Sequence, residues 1–257
     1  MLDLLHARVV THFAPHLHEE FAVGACTEGT EVIGYRGGLH YAGPGSVVIL
    51  EPGEPHTGGP ASAAGFVYRV MYPAPGLLSD GPGGPPRFRE PVVHDPALAA
   101  ELRSVHAMLT RAAEPLEMES RLLWLLAALV TRHSSTAPSA GGARGSGEVA
   151  RQVMTRLADQ LTCPPALAEI AADAGLSRYQ LLRSFRAEVG MPPYAWLAQH
   201  RVARARVLLE HGHRPAEAAA ATGFADQAHL TRWFRRVVGV TPSVYRNGVQ
   251  YSAPRPR

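Results

Sequence analysis

The sequence predicts an α+β protein: an N-terminal antiparallel β-barrel with two following helices, and a C-terminal all-α domain. Three observations predict this fold class. Residues 8–72 alternate short β-rich runs with Gly and Pro turns, which is typical of antiparallel sandwiches and barrels. The chain after Glu148 has the apolar spacing of helices. One stretch of that helical half occurs twice, which predicts two helix-turn-helix motifs joined by a long helix.

The β-rich region contains six short runs: "ARVVTHF", "FAVGAC", "TEVIGYR", "LHYAG", "SVVILEPGE" and "GFVYRVMYP". The following segment, residues 79–91, is too rich in Pro and Gly for regular structure. Two helices are then predicted at residues 96–112 and 117–132, each with an apolar stripe at helical spacing. The second stripe favours either a homodimer interface through the helices in 96–132 or packing against the barrel.

Composition divides the chain into domains of opposite charge. Residues 134–147 read "SSTAPSAGGARGSG", a flexible linker by composition, so the predicted domains are 1–133 and 148–257. Residues 1–147 hold 10 Arg and 14 Asp and Glu, a net charge of −4; residues 148–257 hold 15 Arg and 8 Asp and Glu, a net charge of +7. This asymmetry predicts a polyanion partner for the C-terminal domain alone.

The apolar and cysteine patterns predict a cytoplasmic protein. The most apolar stretch, "LLWLLAALV", is about half the length that crosses a bilayer, so a buried helix and no membrane partner are expected. The N-terminus lacks the pattern of a signal peptide. Cys26 and Cys163 are too few for a secreted disulfide framework.

The repeat aligns "GLSRYQLLRSFRAEVGMPP" with "GFADQAHLTRWFRRVVGVTP". Leu181, Arg183, Phe185, Arg186, Gly190 and Pro193 recur 49 residues later, as Leu230, Arg232, Phe234, Arg235, Gly239 and Pro242. In each copy Leu and Phe, four residues apart, are expected to face the first helix of the motif, and a Gly permits the turn between the helices. The two copies in the basic half indicate a function in binding rather than a chance pattern.

The opposite face of each second helix is predicted to carry the side chains that bind DNA. These are Arg178, Tyr179, Leu182, Arg183 and Arg186 in the first copy, and Gln227, Ala228, His229, Arg232, Arg235 and Arg236 in the second. Arg can bridge guanine and Gln can bridge adenine in the major groove, whereas Arg186 and Arg236, near the helix C-termini, are expected to contact phosphates. The predicted partner is double-stranded DNA, with the two helices in successive major grooves.

Residues 148–246 resemble the DNA-binding domain of AraC/XylS-type transcriptional regulators. The resemblance rests on "EIAADAGLSRYQLLRSFRAEVGMPPYAWLAQHRVARARVLL", on the second repeat and on the closing "SVYR". It implies that Tyr179, Leu182, Arg183, Gln227, Ala228, His229 and Arg232 face the groove, and that Arg201 is structural. It also implies a regulator, more often an activator acting through RNA polymerase, that responds to a small-molecule effector.

The N-terminal region is similar to the cupin-like effector-binding barrel of that family, and "PGEPH" is its most recognisable turn. Effector binding is predicted at His16, His18, Glu20, Tyr35 and His56. His16, His18, Glu20 and His56 also suggest a metal site, because imidazole and carboxylate suit first-row metals. A metal is not favoured, because the carboxylate that metal-binding cupins place several residues after His-x-His is absent. No cofactor is therefore expected.

Two other functions fit parts of the sequence. A metal-dependent cupin enzyme with a helical appendage predicts a full ligand set and leaves the repeat unexplained. A non-specific architectural DNA-binding protein predicts uniform affinity across sequences and a steep salt dependence. The sequence favours a sequence-specific regulator that is not an enzyme.

Overall fold

A computed structural model of the protein describes residues 2–79, 84–111, 114–135 and 146–252. The chain divides into two compact units: Met1–Arg111 with Arg121–Gly141, and Ala112–Ser120 with Gly142–Arg257. Most of the predicted flexible linker, residues 136–145, lies outside the described residues.

The first unit contains eight described strands in two antiparallel sheets. The strands are β1 (Asp3–Val9), β2 (Ala22–Glu28), β3 (Glu31–Tyr35), β4 (Gly38–Ala42), β5 (Ser46–Leu50), β6 (His56–Pro60), β7 (Phe66–Tyr72) and β8 (Val92–His94). One sheet has the order β1-β7-β2-β5-β8 and the other the order β4-β3-β6. The predicted antiparallel architecture is confirmed; among the described strands no hydrogen bonds join the two sheets, so the barrel is not closed.

Local turn chemistry explains the tightest hairpin of the smaller sheet. Strands β3 and β4 pair from Glu31↔Ala42 to Tyr35↔Gly38, which leaves Arg36 and Gly37 as the two-residue turn. Both have positive φ, 48° and 79°. Two-residue hairpins favour this left-handed backbone because its twist matches that of the strands.

Two helices follow the strands. Helix α1 (Pro96–Leu109) begins after Asp95, whose side chain accepts a hydrogen bond from the N–H of Leu98. Helix α2 (Pro115–His133) begins at Pro115, two residues before the predicted start at residue 117. Proline suits the first turn of a helix, because the N–H it lacks has no partner there.

The apolar stripe of α2 belongs to the core of the first unit. Its leucines are at most 8% exposed and pack in one cluster with residues of α1 and of β2, β5 and β7: Leu122, Leu125, Leu126 and Leu129. The unit's own core therefore covers these leucines, and a homodimer through the helices in 96–132 stays a prediction. Packing within the unit, the other interpretation, is the one observed. None of the described helices is long and apolar enough to span a membrane.

The described part of the second unit after residue 145 is helical. Its helices are α3 (Ser146–Asp159), α4 (Leu167–Asp173), α5 (Arg178–Val189), α6 (Pro193–Glu210), α7 (Pro215–Ala221), α8 (Gln227–Val238) and α9 (Pro242–Ser252). The pairs α4–α5 and α7–α8 are the two predicted helix-turn-helix motifs, and α6 joins them. With 18 residues, α6 is about 27 Å long at about 1.5 Å per residue.

Candidate functional site

The second helix of each motif has well-defined ends. Ser177 and Gln180 form a reciprocal capping box at the start of α5. The side chain of Asp226 accepts a hydrogen bond from the N–H of His229 at the start of α8. Gly190 and Gly239 end the two helices in the left-handed conformation, with φ of 78° and 90°. The two copies of the repeat therefore share capped helix ends as well as matching side chains within the helix.

The inward faces of the motifs pack as predicted. Leu230 and Phe234 of α8 are fully buried in one cluster with Ala219 of α7 and with residues of α6. Leu181 and Phe185, their counterparts in α5, are also fully buried. Pairs four residues apart on a helix share a face, so this packing directs the other side of each helix outward.

Most of the predicted DNA-contacting residues lie on those outward faces. The exposed ones are Arg183 and Arg186 on α5, and Gln227, Ala228, Arg232, Arg235 and Arg236 on α8. Arg178 is half-buried. The guanidinium of Arg236 lies over the ring of Trp233, 5.3 Å from its centroid, which holds this cation close to the helix surface.

Three predicted groove-facing residues are buried, contrary to the expectation: Tyr179 is 7% exposed, Leu182 1% and His229 6%. Helix α5 packs against α3 and α6 as well as α4, so its apolar face is wider than a two-helix motif requires. His229 sets its ring edge-on against Phe224.

An acidic segment of the second unit, Glu114 to Glu119, contacts both motifs. Oε1 of Glu119 lies 3.0 Å from Nη1 of Arg178, and Oε2 of Glu117 lies 3.4 Å from Nε2 of His229. The sequence analysis missed this segment. The only signal for it in the sequence is the charge complementarity between its three glutamates and the basic C-terminal domain. The spacing of these glutamates does not identify the residues that they contact.

Arg201 has the structural role that the family resemblance implied. It is 1% exposed, and its Nε donates a hydrogen bond to the carbonyl of Leu161 at 2.8 Å. Oε2 of Glu114 lies 3.5 Å from its Nη1. Burial raises the pKa of Glu114, and the positive charge of Arg201 opposes that rise.

The first unit contains a cavity between its two sheets. It encloses about 510 Å³, counting the space at its open mouth. Apolar side chains from both sheets line most of it, among them Ile33, Val48 and Val70. Its polar lining is a smaller set: His16, His18, His56, Thr57, Glu31, Tyr68 and Tyr72. An apolar chamber with a few convergent polar groups is typical of small-molecule sites.

The cavity brings together three of the five predicted effector-binding residues: His16, His18 and His56. One ring nitrogen from each lies within 4.8 Å of those of the other two. Glu20 and Tyr35, also predicted, do not line the cavity. Tyr35 is 3% exposed, and its hydroxyl accepts a hydrogen bond from the N–H of Glu51 at 3.4 Å. Glu20 also lies outside the cluster of possible metal ligands.

Burial sets the charge of the polar groups in the cavity. It lowers the pKa of His18, and the neighbouring His56 and His16 lower it further, while Glu20 opposes them. Burial also lowers the pKa of His56. The pKa of Glu31 is raised to about 7 by burial, so this carboxyl holds a proton at slightly acidic pH. The sequence analysis did not select Glu31 as a site residue.

Comparison with known proteins agrees with this arrangement. Residues 2–126 match the AraC-like ligand binding domain, and residues 170–248 match a helix-turn-helix domain. The chain is 28% identical over 228 residues to the HTH-type transcriptional regulator YbfI of Bacillus subtilis (strain 168), covering 86% of this chain and 82% of YbfI. It is 33% identical over 125 residues to the HTH-type transcriptional activator RhaR of Cronobacter sakazakii (strain ATCC BAA-894).

The match to RhaR covers 48% of this chain and 44% of RhaR, so the chain spans less than half the length of that relative. Among solved structures, the DNA-binding domain of AdpA in complex with a target DNA is 30% identical. The match covers 42% of this chain and 97% of the AdpA chain, with a TM-score of 0.39.

Proposed function

Because the chain belongs to the AraC family of transcriptional regulators, we propose that it recognises a specific sequence in double-stranded DNA through α5 and α8. A small molecule bound in the cavity of the first unit controls that recognition. The matched families and relatives point to a transcriptional regulator and not to an enzyme.

The observation that carries the proposal is the pair of outward faces that the repeat produces. On each of these helices, apolar residues face inward and arginines face outward. The outward arginines occupy matching positions in the two copies: Arg183 corresponds to Arg232, and Arg186 to Arg235. An exposed arginine can bridge O6 and N7 of guanine, and Gln227, at the start of α8, can bridge N6 and N7 of adenine. These two chemistries read base identity, whereas charge alone does not.

The length of α6 supports placing the two helices in successive major grooves. Successive grooves on one side of B-DNA are about 34 Å apart, and α6 supplies about 27 Å between the motifs. One chain thereby contacts two turns of DNA without a second copy.

The cavity supports control by an effector. Apolar side chains line most of the cavity and a few polar groups converge on it, as they do in small-molecule sites. Control requires that the effector bind one state of the regulator more tightly than the other. RhaR, a relative named as a transcriptional activator, supports activation as the direction of control, and RNA polymerase is the partner proposed for it.

Selection from a pool of random duplexes tests the DNA-binding part. One sequence class should be enriched, and it should bind at least about a thousandfold more tightly than scrambled DNA at the same salt concentration. Equal affinity for selected and scrambled DNA, with a steep salt dependence, would instead identify an architectural DNA-binding protein.

A thermal-shift screen of metabolites against the full chain tests the effector part. A true effector should raise the melting temperature and also change the affinity for the selected duplex. If the compounds that raise the melting temperature all leave DNA affinity unchanged, the cavity does not control DNA binding.

A further inference from the structure

The geometry points to a metal site at the cavity of the first unit, in which His16, His18 and His56 bind one divalent transition-metal ion such as Zn²⁺. This site differs from the expectation of no metal, which rested on the missing carboxylate of the cupin pattern. The inference stands apart from the proposed function, because it concerns three side chains of one unit whether or not the protein regulates transcription.

Backbone pairing explains why the three rings meet. His16 precedes β2 and His56 begins β6, and the two residues exchange backbone hydrogen bonds of 3.0 and 2.9 Å. Their ring centroids are 4.3 Å apart. His18 lies two residues after His16, and extended chain places such residues on the same side. Its ring centroid is 5.0 Å from that of His16 and 5.1 Å from that of His56.

Hydrogen bonds to the backbone orient two of the rings for metal binding. Nδ1 of His16 lies 2.8 Å from the carbonyl oxygen of Ala14, and Nδ1 of His56 lies 3.0 Å from that of Glu54. A carbonyl oxygen can only accept, so each Nδ1 carries the hydrogen and each Nε2 keeps its lone pair. Histidine ligands of metal ions characteristically donate their second ring N–H in this way.

The distances suit an ion with small adjustments of the side chains. The ligand nitrogens lie within 4.8 Å of one another. Zinc–nitrogen bonds of about 2.0–2.1 Å in a tetrahedron bring them to about 3.4 Å. Three imidazoles form a complete protein ligand set for zinc when a water molecule or another ligand takes the fourth position. Because all three rings line the cavity, that fourth position opens on it.

Calorimetric titration of the tag-free, chelator-treated full chain with Zn²⁺ tests the site. We expect one Zn²⁺ per chain. His16→Ala and His18→Ala should each weaken binding at least about tenfold. His6→Ala, which removes an exposed histidine of β1 outside the cluster, is the matched control and should bind as the parent does. Absence of saturable binding, or equal affinity in all three variants, overturns the site.

A second measurement uses the unaltered chain and does not depend on variants that fold. Modification by diethyl pyrocarbonate, read by mass spectrometry, reports the accessibility of each histidine. One equivalent of Zn²⁺ should protect His16 and His18 and leave His6 reactive. Protection elsewhere, or loss of Zn²⁺ after alkylation of the exposed Cys163, would place the ion outside the cluster and overturn the inference.

Discussion

Oε1 of Glu119 lies 3.0 Å from Nη1 of Arg178, the first residue of α5. Its other oxygen accepts a hydrogen bond from the N–H of Leu167, the first residue of α4, at 3.3 Å. One carboxylate therefore contacts both helices of the first motif. Arg178, one of the predicted DNA-contacting residues, is therefore paired with a carboxylate at a helix N-terminus, a position that also suits a phosphate. In the second motif, Oε2 of Glu117 lies 3.4 Å from Nε2 of His229.

Glu119→Gln should raise the affinity for DNA by about two- to fivefold. Gln keeps an oxygen that can accept from Leu167 but removes the charge that competes with phosphate for Arg178. A half-exposed ion pair is worth up to about 1 kcal/mol, which sets the size of the effect. Fluorescence anisotropy at fixed salt measures it.

The matched control for Glu119 is Glu169→Gln. Glu169 is an exposed acid of α4, so its substitution changes the net charge of the unit equally. If both variants gain the same affinity, net charge alone explains the change. If Glu119→Gln gains none, the ion pair does not compete with DNA.

Arg232 and Arg236 of α8 should behave differently when replaced by Ala. Arg232→Ala should cost about 1–3 kcal/mol and relax base preference at one position, because a bidentate contact to a base is lost. Arg236→Ala should weaken binding to all sequences and reduce the salt slope by about one, as expected of a phosphate contact. Sequence selection and salt titrations with both variants distinguish the two roles. Equal weakening on every duplex by Arg232→Ala would assign that residue to phosphate.

Gly223 and Gly175 occupy equivalent turns in the two motifs but differ in their surroundings. Both have positive φ, 79° and 63°. A Cβ on Gly223 would lie 2.6 Å from Cα of Thr162 and 2.9 Å from the carbonyl oxygen of Leu161, whereas a Cβ on Gly175 meets nothing within 4 Å.

Gly175→Ala should therefore cost about 1–2 kcal/mol, the penalty of the left-handed conformation. Gly223→Ala should cost clearly more, because backbone must also move. Chemical denaturation followed by the fluorescence of Trp196 and Trp233, which lie in the same unit, measures both variants against the parent. Equal costs would mean that the backbone around Thr162 yields freely.

Glu31 should make the stability of the first unit depend on pH. Its pKa in the folded state is about 7, above the ordinary value of 4.5, so folding favours the protonated form. The stability it contributes is full below about pH 4.5 and is lost as pH rises through about 7, a difference on the order of 3 kcal/mol.

Glu31→Gln, which stays neutral, should be more stable than the parent at pH 8 and similar to it near pH 4.5. Calorimetric melting of both proteins across this pH range measures the difference. A constant difference between Glu31→Gln and the parent at all pH values would contradict a titrating Glu31.

The sequence by itself determined the elements and the repeat, because these depend on residues close together in the chain. The caps Ser177 and Asp226, the terminating Gly190 and Gly239, and the buried Leu and Phe pairs all follow from spacings of a few residues. These local signals are strong enough to place both helix-turn-helix motifs and their outward arginines.

Only the tertiary structure decided which distant residues meet. It buried Leu182 and His229, covered the apolar stripe of α2, and brought His56 to His16 across 40 residues of chain. It also set Glu119 against Arg178. A carboxylate or an imidazole binds any suitable partner within a few ångströms, so its sequence neighbours do not specify that partner. The packing of the sheets and helices does.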